Sequence, residues 1–127
     1  MASLPYRAGA LLIPFNPKLH LFAILNDPCQ DKQCLVVMVT TIYEGKKYDP
    51  SCVLKEGDHP FIERPSYLLY RMAETIRSAQ IETRLGQKYY VAKPDFEEEV
   101  FTRIVNGLYA SDETRLRIIR YAENNGV

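Results

Sequence analysis

At 127 residues and 14.7 kDa, the chain is long enough to bury a core without disulfides or a structural metal and too short for two full domains. A hydrophobic share of 46% beside 25% charged residues excludes a disordered, collagenous or coiled-coil chain. Sixteen basic residues balance sixteen acidic ones, six of each up to Ile62 and ten of each beyond it. No overall positive field therefore holds a polyanion, and any nucleic-acid contact has to come from a local patch.

The apolar run at residues 8–13 is cut short by Gly9 and flanked by Pro5 and Pro14, so it does not read as a signal peptide. No stretch reaches the roughly 20 apolar residues of a membrane-spanning helix. The expectation is a cytoplasmic protein with no membrane partner. Three cysteines, Cys29, Cys34 and Cys52, fit reduced thiols better than a disulfide framework.

Residues 19–25 and 34–42 are short runs rich in Leu, Val, Ile, Phe and Thr, which predicts two core strands. The turn formers and polar residues at 26–33 suit a hairpin between them, so the two strands are expected to be antiparallel neighbours. A loop at 43–50 follows, then a short strand at 51–54, a turn at 56–60 and a last apolar pair, Phe61 and Ile62, expected as a further strand. Behind Pro65, with Ser66 as N-cap, Leu69, Met72, Ala73 and Ile76 recur at helical spacing and predict a helix over 67–78. Phe96, Val100, Phe101, Ile104, Val105 and Leu108 trace one face of a second helix, with Asp95, Glu97, Glu98 and Glu99 at its positive end. A third helix is expected to open at Ser111-Asp112, with Leu116, Ile119 and Ala122 inward and Arg115, Arg117 and Arg120 outward, and to end near Asn124-Asn125-Gly126. The whole reads as one α+β domain over 1–127. Strands dominate 1–62 and helices 63–127, most simply as a small curved antiparallel sheet or barrel with C-terminal helices.

The densest cluster of reactive side chains is Asp49, Ser51 and Cys52 followed by Asp58 and His59. His59 suits general acid–base work because its pKa lies near neutrality, with Asp58 or Asp49 fixing its tautomer. The competing reading is structural: Asp58 closes the turn through its own backbone and His59 caps or fills it. A Cys52–His59 nucleophilic pair would use the imidazole to lower the thiol pKa, whereas a cysteine in a strand is more often a buried small hydrophobe. Cys29, Cys34, Cys52 and His59 make a zinc-sized quartet but lack the short paired spacing of structural zinc sites, so no metal and no cofactor is expected. His20 falls on the same strand face as Phe22 and Ile24. It is either structural or, at the mouth of a curved sheet, a partner of His59 across one cleft for metal-free phosphodiester cleavage. Lys46, Lys47 and Tyr48 combine cations with an aromatic, as single-stranded nucleic-acid sites do. GxGxxG, GxxxxGKS/T, GxSxG and HExxH patterns are absent from the chain.

Residues 21–25, a hairpin, residues 35–41, a further short strand and Ser66-Tyr67-Leu68 together resemble the PemK/MazF-like family over about residues 19–81. That family has a small SH3-like barrel and includes toxins of toxin–antitoxin pairs that cut single-stranded RNA without a metal. The resemblance implies that Thr40 or Thr41, at the end of the central strand, contacts the scissile phosphate. Where the family carries an Arg-Pro before its second strand, this chain has Lys18-Leu19-His20, and Lys18 or His20 takes that place. The implied partners are single-stranded RNA, an antitoxin or other protein, and a second copy in a homodimer. The alternative from another class is a non-catalytic SH3-like module that docks a protein or itself through apolar residues left on the helices at 96–108 and 116–122.

Overall fold

The computed structural model describes residues 3–15 and 17–127. Its framework is an antiparallel sheet of seven strands with three α-helices, an α+β arrangement. Strand β1 (Ala10–Phe15) runs against β2 (Lys18–Ile24) in unbroken register from Ala10↔Ala23 to Phe15↔Lys18. β2 in turn pairs with β3 (Gln33–Thr41) from Ile24↔Val36 to Phe22↔Met38, across the hairpin expected at 26–33.

The other edge of β3 is divided between two partners. Its last residues pair with β5 (Ser66–Leu68), which carries β4 (Val53–Leu54) on its far side. Its first residues pair with β6 (Glu74–Arg77), from Gln33↔Arg77 to Val36↔Glu74. A late strand, β7 (Val91–Lys93), closes onto the outer edge of β1.

Alternation along these strands feeds two cores. Leu12, Leu21, Ala23, Leu35, Val37 and Val39 face one way, onto α2 (Glu98–Ala110) and α3 (Leu116–Asn124), where Phe101, Ile104, Leu108, Ile118 and Ala122 are buried against them. Leu11, Ile13, Ile24, Cys34 and Val36 face the other way, onto Ile81 of α1 (Ser78–Gly86) and Tyr90. Because both faces are covered, β3 is apolar at successive positions from Cys34 to Val39 rather than at alternate ones. α2 comes unusually close to the sheet side at Gly107. A Cβ there would stand 2.8 Å from Cys52 Cβ and 2.9 Å from Tyr70 Cζ, and nearer still to the Tyr70 hydroxyl.

Several expectations are corrected. The segment 67–78 is not a helix: it forms β5, a 3-10 turn at Tyr70–Met72 and β6, and the helix begins only at Ser78. The unpaired edge of β3 supplies the reason, since ladder bonds and burial of Leu68, Leu69, Tyr70 and Ala73 outweigh a local helical spacing that β-branched Thr75 and Ile76 support poorly. Ser66 is accordingly no N-cap; its hydroxyl donates to the Arg64 carbonyl at 2.9 Å. Phe61 and Ile62 form no strand but complete a turn in which the Ile62 N–H donates to the His59 carbonyl. Residues beyond 62 bring three strands as well as the three helices, and the apolar stretch before Phe15 is itself a strand.

α3 starts at Leu116 rather than Ser111, whose hydroxyl instead takes the Glu113 N–H at the end of α2. Leu116 is 62% exposed and Ile118 fills the core in its place. Arg115 and Arg117 reach across to Glu74 on β6 rather than standing free in solvent. Among the described residues no helix is long and apolar enough to cross a membrane.

Candidate functional site

The ladder between β2 and β3 ends at Phe22↔Met38. Beyond that point β2 continues, paired only with β1, as Lys18-Leu19-His20-Leu21, and β3 continues, paired with β5, as Val39-Thr40-Thr41. The two strands therefore fork, and the fork is a cleft of about 430 Å³. Its floor is Leu21, Val39 and Ile62; its walls carry Lys18, His20, Thr40, Thr41 and Tyr43 from the strands and their exits, and Phe61, Glu63 and Arg64 from the loop before β5.

The chemistry of this cleft is cationic and hydroxyl-rich. Among the described residues neither Lys18 nor Arg64 makes an ion pair, and Glu63 is the lining carboxylate. The Lys18 ammonium lies 3.4 Å from the Tyr43 hydroxyl, to which it donates, and 5.9 Å from the ring centroid, so Tyr43 holds it over the mouth. The His20 Nδ1 is 3.4 Å from the Val39 carbonyl oxygen, left without a strand partner by the fork; Nδ1–H donates to it and Nε2 keeps its lone pair. Phe15 meets the His20 ring edge to face at 6.2 Å. Arg64 reaches the cleft from a bend outside any strand or helix and carries no motif signal in the sequence. Its available signal is the charged, aromatic segment 61–64 held between Pro60 and Pro65.

Of the residues singled out beforehand, Lys18, His20, Thr40 and Thr41 meet in this cleft. No family model and no curated protein matches the chain. What the cleft can do therefore rests on its own residues.

His59 stands apart from His20, so the expectation of two histidines flanking one cleft is corrected. It is 3% exposed and packs on Phe96 at 4.7 Å between ring centroids. Nε2–H donates to the Pro94 carbonyl at 2.6 Å, while Nδ1 accepts the Phe61 N–H at 3.0 Å. Both nitrogens are committed, which leaves none to trade a proton with a substrate. Burial lowers its pKa below the ordinary histidine value; the bond to Pro94 opposes this and the Lys93 cation adds to it. Asp58 closes the turn by accepting the Lys55 N–H and pairs with Arg103 of α2, rather than orienting His59. Although burial pushes its carboxyl up, these donors hold it below the usual carboxylate range.

The remaining candidates serve the scaffold. Asp49 is buried where the loop before β4 meets the end of α2, accepting from the Ser51 N–H and hydroxyl and from the Ser111 hydroxyl. Burial pushes Asp49 up, but the hydrogen bonds from Ser111 and Ser51 prevail and keep it ionised. Cys52 lies buried beside Tyr70 and Gly107, with its thiol pKa raised by burial, and no hydrogen bond joins it to His59. The favoured reading of Cys52 as a buried small hydrophobe is the one its surroundings match, and the alternative nucleophilic pair is absent among the described residues. Cys34 is buried too, its thiol pushed up to about 12. Among the described residues no three His, Cys, Asp or Glu side chains are placed to hold a metal ion. Lys46 and Lys47 are exposed on their loop outside the cleft lining, and Tyr48 packs against Tyr67 of β5 at 5.6 Å.

Proposed function

We propose that the chain cuts single-stranded RNA at the β2–β3 fork, by attack of a ribose 2′-hydroxyl on the adjacent phosphate. The observation that carries this reading is the meeting of Lys18, His20, Thr40, Thr41 and Arg64 around one open cleft. His20 Nε2 takes the 2′-hydroxyl proton, the O2′–P bond forms as the P–O5′ bond breaks, and the imidazolium returns the proton to the leaving 5′-oxygen. Lys18 and Arg64 offset charge on the phosphorane, and the hydroxyls of Thr40 and Thr41 donate to its oxygens. The strand's own hydroxyl is the nucleophile, so no protein nucleophile is required. Tyr43 and Phe61, 50% and 41% exposed, offer faces on which bases stack, and Lys46, Lys47 and Tyr48 extend the track.

The same reading takes the sheet as an SH3-like barrel of the PemK/MazF-like kind, acting as a dimer in the cytoplasm under an inhibitory protein partner. The division of β3 between β5 and β6, which bends one strand through two ladders, supports the barrel part. The docking-module alternative has less to stand on, because the apolar faces of α2 and α3 are spent on the core and leave mainly Tyr109 and Leu116 outside. The test is incubation of the protein with mixed-sequence single-stranded RNA in EDTA. Fragments ending in a 2′,3′-cyclic phosphate are expected, with loss of about 100-fold or more in rate for His20→Ala. RNA left intact by the wild-type protein across all sequences overturns the reading.

A further inference from the structure

The wall of the cleft formed by residues 61–64 belongs to no strand or helix. What holds it is the turn that begins at His59. The His59 carbonyl takes the Ile62 N–H at 2.9 Å, its Nδ1 takes the Phe61 N–H at 3.0 Å, and its Nε2–H ties the turn to Pro94, just ahead of α2. One ring thus joins the wall to the far end of the sheet. On its other side lies a groove of about 650 Å³ that His59 helps to line.

We propose that His59 is a positioning residue for the cleft: its neutral ring latches the wall of residues 61–64 in place, and its protonation releases the wall. The latch needs an unprotonated Nδ1. A proton there faces the Phe61 N–H, donor against donor, and the bond is lost. The charged surroundings make the second state accessible. Lys93 on β7 opposes an imidazolium in the latched position, whereas Glu56, Asp58 and Glu63 of its own loop and Asp95 and Glu97 ahead of α2 line the groove into which a charged ring can turn. Burial acts in the same direction, since it disfavours the charged form in place. The linkage has a definite sign. A histidine whose pKa is lower latched than released stabilises the latched state fully above the ordinary value of 6.5, and this support is lost as pH falls through the lowered value. That the released wall, with Phe61 and Arg64, weakens RNA handling rests on the function proposed above; the latch itself does not.

The experiment is amide exchange by nuclear magnetic resonance on the wild-type protein from about pH 7.5 to about pH 5, a window chosen for histidine. The protection factor of the Phe61 amide is expected to fall about tenfold for each unit by which the latched pKa is lowered, in step with the His59 ring resonances, while amides of the β2–β3 ladder keep theirs. A Phe61 protection factor that stays level while His59 titrates overturns the proposal. His59→Asn puts a carboxamide oxygen that does not titrate near the place of Nδ1; it should flatten the Phe61 profile and, with it, the pH dependence of affinity for a mixed-sequence single-stranded RNA. A flattened amide profile with an unchanged RNA profile would overturn the wall's role in the cleft. An intact amide step with no RNA bound at any pH upholds the latch and counts against the RNA reading alone.

Discussion

Replacing Gly107 by alanine places a methyl group where α2 meets Tyr70 and Cys52. Cys52 Cβ at 2.8 Å, and the Tyr70 ring at 2.9 Å with its still nearer hydroxyl, must give way to the added carbon. Neither has room, because Cys52 is 5% and Tyr70 0% exposed. The Tyr70 hydroxyl is further fixed by its 2.6 Å bond to the Ile104 carbonyl, which a shift would stretch or break. Overpacking of this kind costs about 1–3 kcal/mol, and a buried hydrogen bond lost with it about 1–3 kcal/mol more. Against this stands a helix-propensity gain of about 1 kcal/mol. The net expectation is a loss of about 1–5 kcal/mol, read by urea denaturation as a lower midpoint at unchanged slope. Gly86 at the end of α1 is the matched control, since nothing lies within 4 Å of its would-be Cβ. Gly86→Ala is expected to be neutral or to stabilise by up to about 1 kcal/mol. Tyr70→Phe in the Gly107→Ala background should recover part of the loss by removing the nearest colliding atom. Equal stability of the two glycine variants would refute the close-approach argument.

Three further outcomes are expected. Asp49→Asn should flatten the acid limb of stability: the native carboxylate is held below its ordinary 3.8, so its contribution is present above that value and disappears as pH falls through the lowered one, which urea midpoints taken across the acid range will read. Asn26→Ala should cost about 1–3 kcal/mol by thermal unfolding, because the buried amide accepts the Leu35 N–H at 2.8 Å, which would be left unpaired, and donates at 3.1 Å to the Tyr121 hydroxyl, which would keep its own bond to the Gln33 carbonyl at 3.0 Å. Arg64→Ala should leave the unfolding midpoint within about 0.5 kcal/mol of wild type while lowering RNA affinity and the steepness of its salt dependence, as expected of an exposed guanidinium without an ion pair; an unchanged salt slope would remove Arg64 from the phosphate path.

β2, β3 and α2 are legible in the sequence because each satisfies one rule strongly enough to be read locally. The two strands are apolar runs bounded by turn formers, and α2 carries a 3.6-residue apolar stripe behind acidic residues. The stretch from Ser66 to Arg77 is not legible, since Leu69, Met72, Ala73 and Ile76 satisfy a helical template by spacing while their conformation is decided by the vacant edge of β3, some thirty residues earlier. Site residues divide along the same line. Lys18, Thr40 and Thr41 are reachable through the resemblance to the PemK/MazF-like family, and His20 also through the alternation of its predicted strand. Arg64 arrives by a turn whose course depends on His59, Asp58 and Arg103, contacts separated by up to 45 residues. His59 shows the reverse error: its residue type suits catalysis, but the Pro94 carbonyl and the Phe61 amide that occupy it become neighbours only after folding. The turn-capping alternative is the one its geometry matches.

The position of β1 inside the sheet has a bearing on how the chain acquires its shape. β1 lies between β2, its immediate successor, and β7, which follows some eighty residues later. The β1–β2 hairpin has a short loop to close and the pairing with β7 a long one, so the entropic cost falls unequally on the two edges of one strand. During synthesis, Leu11 and Leu12 wait with an open edge until residues 91–93 have emerged, and the cover from α2 and α3 follows only after that. The fork between β2 and β3, by contrast, draws its parts from residues 18–66. A cleft built this way has its residues early, but the 61–64 wall gains its tie to Pro94, and Leu21, Val39 and Ile62 their shared core with α2 and α3, only when the last third of the chain has docked.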